Sequence, residues 1–262
     1  MILAIDIGNT NVKLGVCSED GKLLDSTRLS SSTHKTGDEY YLAIRDSFGA
    51  RGINLSDIDG VIISSVNPNL NYTFEHLISV YFRVKPMVVG GGIKTGINIR
   101  YDNPKEVGAD RIVNSVAAYR TYGGPCIVID CGTATTFNAI SAAGEFTGGV
   151  ISFGLKTGAD ALCQKAAKLP KVELVKPDRV IGKSTITNMQ SGLIYGYVGM
   201  VEYIVNKMKE EMGGGNIRVV ATGGLSEIVS ANSKVIDVVD RTLTLRGLYA
   251  LYKNNSEQGG KQ

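Results

Sequence analysis

Apolar residues run together at the start of the chain and then begin to alternate with polar ones. "ILAIDIGNTNVKLGV" is an apolar run, a polar turn and a second run of alternating character. Alternation with a period of two is the signature of half-buried strands. It predicts strands over residues 2–8, 11–17 and 22–29, joined by Gly8-Asn9-Thr10 and by Glu19-Asp20-Gly21-Lys22, so the chain opens as an antiparallel meander. Helical spacing takes over at residues 38–50 and stops near Gly49 and Gly52. "IDGVIISSV" reads as a buried strand with a polar exit, and "NPNLNYTFEHLISVYF" as a helix with Pro68 near its start.

The second half repeats this pattern. "CIVIDCGTATTFNAIS" again places Asp-x-Gly at a strand end, followed by a polar turn, an alternating strand, "AAGE" and the strand-like "FTGGVIS". Asp6 and Asp130 lie 124 residues apart, as do Gly8 and Gly132. The second turn, Gly144-Glu145, lags by one residue against Gly21-Lys22, a shift a hairpin loop absorbs. The expectation is an α/β fold built from two copies of one supersecondary unit. The boundary is expected after the helical "KEVGADRIVNSVAAYRTY", at Gly123-Gly124-Pro125. This gives an N-terminal half over 1–123, a C-terminal half over 124–254 and a tail over 255–262 expected to be disordered. Within the second half, "ITNMQSGLIYGYVGMVEYIVNKMKEEM" predicts a long helix ended by Gly213 to Gly215. "IRVVATGG" predicts a strand running into a Gly pair, with a helix from about Ser226-Glu227, and "RTLTLRGLYALYK" closes the fold.

Composition narrows the functions worth considering. At 262 residues and 43% hydrophobic, the chain has ample material for one large core or two smaller ones. Lys and Arg number 28 against 25 acidic residues, a net charge of +3, and the charges are dispersed. Electrostatics therefore give no reason to expect nucleic acid or a membrane as partner, and leave acidic small molecules open. No apolar stretch approaches the ~20 residues of a membrane helix, and the N-terminus has no basic leader region, so a cytoplasmic location is expected. Cys17, Cys126, Cys131 and Cys163 show no C-x-x-C spacing, and His34 and His76 lie far from them in sequence, so no zinc site is expected. The first three cysteines fall in apolar runs, where a thiol acts as a small buried hydrophobe.

Each Asp-x-Gly turn alone signals only a strand end and a hairpin. Two of them, each opening one half of a duplicated chain, would form facing hairpins whose N–H groups bracket a polyphosphate between the halves. Gly8 and Gly132 lack a Cβ, which lets main chain approach phosphate oxygens closely. Asn9, Thr10 and Thr133 add side-chain donors, and Asp6 and Asp130 supply the anions that hard cations need. Other nucleotide motifs fail. "GKST" at 182–185 imitates the end of a Walker A loop, but Pro177 stands where the first glycine is required, and Gly90-Gly91-Gly92 has Thr95 where a G-x-G-x-x-G motif ends. "VVATGGLSE" fits an adenosine floor or simple close packing equally well. On the acceptor side, "IRYDNPKEVGADRIVNSVAA" combines Tyr101, Asp110 and Arg111 at a helix start. By default such an aspartate is a dipole partner and such an arginine a solvated charge. In a site, Asp110 could take a proton from an attacking hydroxyl while Arg111 holds an anion or developing phosphoryl charge.

The segments "DIGNTN", "YDNPKEVGADRIVN", "DCGTATT", "GGVISFGLKTGADAL", "AAKLP", "GKSTITNMQSGLIYGY", "ATGG" and "LTLRGLY", in this order, resemble the type III pantothenate kinases over essentially residues 1–254. The resemblance implies a duplicated RNase H-like fold of the acetate and sugar kinase, hexokinase and actin class. It also implies ATP-dependent phosphorylation of pantothenate, the first step toward coenzyme A, by a homodimer that uses a monovalent cation, potassium or ammonium, together with magnesium. Carried over by position, Asp6, Ile7, Gly8, Asn9, Thr10, Asn11, Val12 and Lys13 match the first ATP segment, and Thr133 matches a further ATP contact. Asp130 matches the monovalent-cation ligand, while Asp6 is implied for magnesium, directly or through water. Tyr101, Gly108, Ala109, Asp110, Arg111 and Thr185 match substrate contacts, with Asp110 in the place of the proton acceptor. Thr185 lies in the part of the family that helps build the dimer, so its substrate could belong to the other subunit. Phe153, Gly91 and Ser184 depart from the usual pattern and bear on loop shape. The resemblance also implies an alternative, a non-catalytic regulator of the Bvg accessory factor kind with the same fold.

Overall fold

A computed structural model of the chain describes residues 1–256. It divides into two units: Met1–Arg120 together with the chain from Thr242 onward, and Thr121–Arg241.

In the first unit, β1 (Ile2–Ile7), β2 (Asn11–Cys17) and β3 (Leu23–Ser30) form the expected meander, followed by α1 (Gly37–Gly49), β4 (Gly60–Ser65) and α2 (Pro68–Leu77). The sheet order is β3-β2-β1-β4-β5, with β4 parallel to β1 and the short β5 (Met87–Val88) parallel to β4. Alternation decides what each face meets. Leu3, Ile5 and Ile7 point to one side, where they pack with Tyr40, Ile44 and Phe48 of α1 and Leu70, Phe74 and Leu77 of α2. Those helix residues recur every three or four positions, which is one helix face. A capping box starts α1: the Thr36 side chain accepts from Glu39 N, and Glu39 reaches back to Thr36 N. The helix predicted over 67–82 holds its α form to Leu77 and then widens into a π turn at Ile78–Phe82.

After a short β6 (Asn98–Ile99), the helix predicted from Lys105 begins as a 3-10 turn at Pro104–Glu106 and becomes α3 (Ala109–Tyr122) only past Gly108. The other face of the sheet carries Ile2, Ala4 and Asp6, and there α7 (Leu243–Ser256) packs against β1, β2 and β4. Glycines admit it: a Cβ at Gly15 would stand 2.8 Å from Leu245, and one at Gly60 would overlap the Tyr252 ring. The segment "RTLTLRGLYALYK", placed in the second half by the sequence division at 123 and 124, thus packs in the first unit. Its amphipathic spacing marks a buried face without naming the sheet it meets. Of the tail expected over 255–262, Asn255 and Ser256 are the end of α7, and the remainder lies outside the described residues.

The second unit repeats this topology. β7 (Cys126–Cys131), β8 (Ala134–Ile140) and β9 (Glu145–Phe153) form a meander, and β10 (Arg218–Thr222) and β11 (Val238–Val239) extend the sheet in parallel on the β7 side. The order β9-β8-β7-β10-β11 is that of β3-β2-β1-β4-β5. Ile127, Ile129 and Cys131 pack on Ile194, Tyr197, Val201 and Val205 of α5 (Thr185–Glu211), which leaves Asp130 on the opposite face. Two helices complete the unit, α4 (Leu155–Lys165) and the single-turn α6 (Ser226–Ser230).

Candidate active site

Asp6 is the penultimate residue of β1 and is only 6% exposed. Its register neighbours share its face: Lys13 on β2 and Ser64 on β4. Lys13 Nζ lies 3.6 Å from Asp6 Oδ2, so the strand pair carries its own counter-ion, which is how a nearly buried carboxylate is tolerated there. Ser64 Oγ is buried with no hydrogen-bond partner. The turn beyond is tight. Gly8 N donates to Asn11 O at 3.0 Å, and a Cβ on Gly8 would approach that oxygen to 2.9 Å. Asn9 and Thr10 are exposed, whereas Ile7 and Val12 are fully buried in the core, so those two can meet a ligand only through main chain.

The acceptor-side residues gather at the same end of this unit. Val66, just past β4, donates its N–H to Ile7 O at 3.0 Å. A Cβ on Gly108 would lie 3.8 Å from Val66 Cγ1 and 2.6 Å from Asp110 Oδ1, so Gly108 has to be glycine for the Asp110 carboxylate to sit where it does. Asp110 occupies the first turn of α3 and accepts from Arg111 N at 2.8 Å. Arg111 is 5% exposed, with its guanidinium 5.9 Å from the Tyr101 ring centroid. It is not the solvated surface charge that an arginine at a helix start is by default. One turn further along α3, buried Asn114 accepts from Thr244 Oγ1 at 2.8 Å, which fastens α3 to α7.

In the second unit, Asp130 faces Thr136 on β8 and Thr222 on β10, and the hydroxyl oxygens of both threonines are buried with no hydrogen-bond partner. Gly223 follows with φ +95°, and a Cβ there would stand 2.5 Å from Asp130 Oδ1. Thr133 is exposed in the β7–β8 turn, and its carbonyl accepts from Gly154 N at 3.1 Å and from Thr157 Oγ1 at 2.6 Å. Thr185 stands on another element of the unit, exposed at the first residue of α5. The "GKST" segment there is a helix start, with Ser184 as N-cap accepting from Thr187 N. Burial pushes the Cys131 thiol up to about 12, Cys126 to about 12 and Cys17 to about 11, so none of these supplies a nucleophile near neutrality.

Ser64, Thr136 and Thr222 went unnoticed in the sequence. The signal that finds them is strand register, because each is the residue directly opposite a singled-out aspartate.

Solved structures similar to the chain share its two-unit α/β architecture. A Campylobacter jejuni protein assigned to the Baf family of transcriptional activators matches at a TM-score of 0.60 and 20% identity, over 97% of this chain and 99% of that one. The activator of 2-hydroxyisocaproyl-CoA dehydratase from Clostridium difficile, with bound ADPNP, matches at 0.59 and 15%, over 100% and 98%. A Sinorhizobium meliloti protein assigned as a 2-dehydro-3-deoxygalactonokinase matches at 0.61 and 12%, over 97% of each chain. At such identities these likenesses show the fold, that of the acetate and sugar kinases and actin-like ATPases. The family model for type III pantothenate kinase matches residues 2–207. With most of its length covered by that model, the chain belongs to the type III pantothenate kinase family, and the fold it carries is that of an ATP-using kinase.

Proposed function

We propose that the chain transfers the γ-phosphoryl group of ATP to the primary hydroxyl of pantothenate, giving 4'-phosphopantothenate and ADP, the first step of coenzyme A synthesis. The observation that carries this reading lies within the first unit. The acceptor segment around Asp110 and the turn at 8–11 share one end of the sheet, linked through Val66 and Ile7. Asp110 accepts the hydroxyl proton as the oxygen attacks phosphorus and the bond to ADP breaks. The transition state is loose, so positioning and charge matter more than the strength of the base. Arg111 with Tyr101, and Thr185, hold pantothenate, while residues 6–13 and Thr133 hold ATP.

The side chains proposed as ligands offer oxygen, which suits hard cations, and Lys13 Nζ stands 3.6 Å from Asp6 as a built-in charge beside that site. Asp130 with Thr136 and Thr222 would hold potassium or ammonium, and Asp6 beside Ser64 would hold magnesium, directly or through water. When bound, such ions neutralise phosphate charge.

A homodimer is supported by apolar side chains that the second unit leaves in solvent, among them Ile181, Ile151 and Ile186 at 84%, 62% and 51% exposure. Thr185 immediately precedes Ile186 at the start of α5, which fits a substrate contact made across that interface. None of the helices described is long and apolar enough to cross a membrane, and the proposed reading keeps the cytoplasmic location expected from the sequence.

The test is ADP release with and without pantothenate, in potassium and after its removal. No pantothenate-dependent turnover by folded protein would defeat the reading. It would favour the alternative, a non-catalytic regulator of the accessory-factor kind with the same fold.

A further inference from the structure

We infer that Ser31 is a positioning residue for nucleotide binding: it clamps the turn after β1 so that one peptide N–H is presented to phosphate. The inference rests on the ATP reading above. Ser31 follows β3 and contacts the turn twice. Its Oγ donates to Gly8 O at 2.7 Å, and its N–H donates to Thr10 O at 2.9 Å. The Gly8–Asn9 peptide is trans, the one cis peptide among the described residues being Gly124-Pro125. In a trans peptide the carbonyl and the next N–H point in opposite directions. Tying the Gly8 carbonyl to Ser31 therefore turns the Asn9 N–H away from Ser31. Glycine offers little resistance to a flip of that peptide, so an external tie is what selects one orientation.

The clamp is itself anchored in the core. Tyr40 is fully buried, 4.8 Å between ring centroids from Phe74. Its hydroxyl accepts from Ser32 N at 2.8 Å and lies 3.2 Å from Ser30 O and 3.0 Å from Ser32 O, gripping the residues on both sides of Ser31.

The second unit repeats the main-chain half of the device. Gly154, just past β9, donates its N–H to Thr133 O as Ser31 does to Thr10 O. A Cβ at Gly154 would collide with Gly132 O, so no side chain can work there, and Thr157 Oγ1 adds its bond to the same Thr133 carbonyl rather than to the one that matches Gly8 O. The main-chain tie past the third strand thus recurs in both copies with different residues, and the bond to Gly8 O is what the first unit adds to it.

The test uses the full chain, with adenylyl imidodiphosphate and magnesium as the binding probe, and compares wild type with Ser31→Ala, Ser31→Thr and Tyr40→Phe. Ser31→Ala should weaken binding of the analogue about tenfold, the range set by one lost hydrogen bond and a freed peptide, and Tyr40→Phe by less. In turnover, KM for ATP should rise with KM for pantothenate unchanged, and Ser31→Thr should restore both readouts. A Ser31→Ala protein that binds the analogue as tightly as wild type, or loses both KM values equally, overturns the clamp. A wild-type protein that binds no analogue overturns the ATP reading itself.

Discussion

In the first unit, the carboxylate of Asp6 lies across the strand pair from an ammonium, Lys13. In the second, the matching residue, Asp130, is paired in register with two threonines, Thr136 and Thr222. The backbone frame around them is the same: equal strand order, an Asp-x-Gly exit, and a residue past the third strand that ties down the turn. What differs is where positive charge comes from. One copy builds an ammonium into the sheet beside its carboxylate, while the other sets threonines at the register positions flanking Asp130, where the proposed function puts a monovalent cation. Duplication thus conserved the frame and let the chemistry of the two turns diverge.

The largest effect should come from the element only the first unit possesses, its acceptor segment. Asp110→Asn should lower kcat by about 10²–10⁴, the usual share of a general base, while binding of an ATP analogue stays near wild type. Unchanged turnover would remove Asp110 from the chemistry. The next contrast is steric. Gly154→Ala should cost about 3 kcal/mol in urea unfolding, because its methyl meets backbone that cannot yield. Gly8→Ala, whose contact to Asn11 O is 2.9 Å, should cost about 1 kcal/mol. Equal losses would mean the two turns are equally pliable. The charge contrast can be erased by Thr136→Lys, which gives the second unit the ammonium of the first. Turnover should then vary little with added potassium, whereas continued dependence would separate Asp130 from the cation.

The last contrast concerns the thiols. Cys126 and Cys131, held protonated by burial, have native pKa values raised from 9.0 to about 12. Above pH 9 the unfolded chain releases those protons and the native one keeps them, so stability is whole below pH 9 and falls as pH rises toward 12. The melting temperature should decline through that window, and less steeply in Cys126→Ala. A flat profile would show that the thiols titrate alike in both states.

Periodicity made the repeated meanders legible, since alternation and a Gly-containing turn are local signals. It also exposed the two aspartates, because a carboxylate amid Ile2, Leu3, Ile5 and Ile7 breaks the pattern. Pairing information was beyond it. That Ser64 and Thr222 flank those aspartates depends on parallel register between strands far apart in sequence, and nothing local encodes that. Ser31 was silent for the same reason, since a serine past a strand reads as ordinary loop. The α4 helix escaped because its spacing is interrupted by Gly158, which leaves room for Phe153 2.9 Å from where a Cβ would be.

The packing of α7 against β1, β2 and β4 has a consequence for synthesis. Thr121–Arg241 is one uninterrupted stretch and can fold as soon as it clears the ribosome. The unit holding Asp6 and Asp110, though begun first, must wait with a bare sheet face until residues 243–256 have been translated. During that wait Ile2, Ala4 and Ile62 are apolar surface without a cover, which makes the nascent chain, more than the finished protein, the stage most exposed to aggregation.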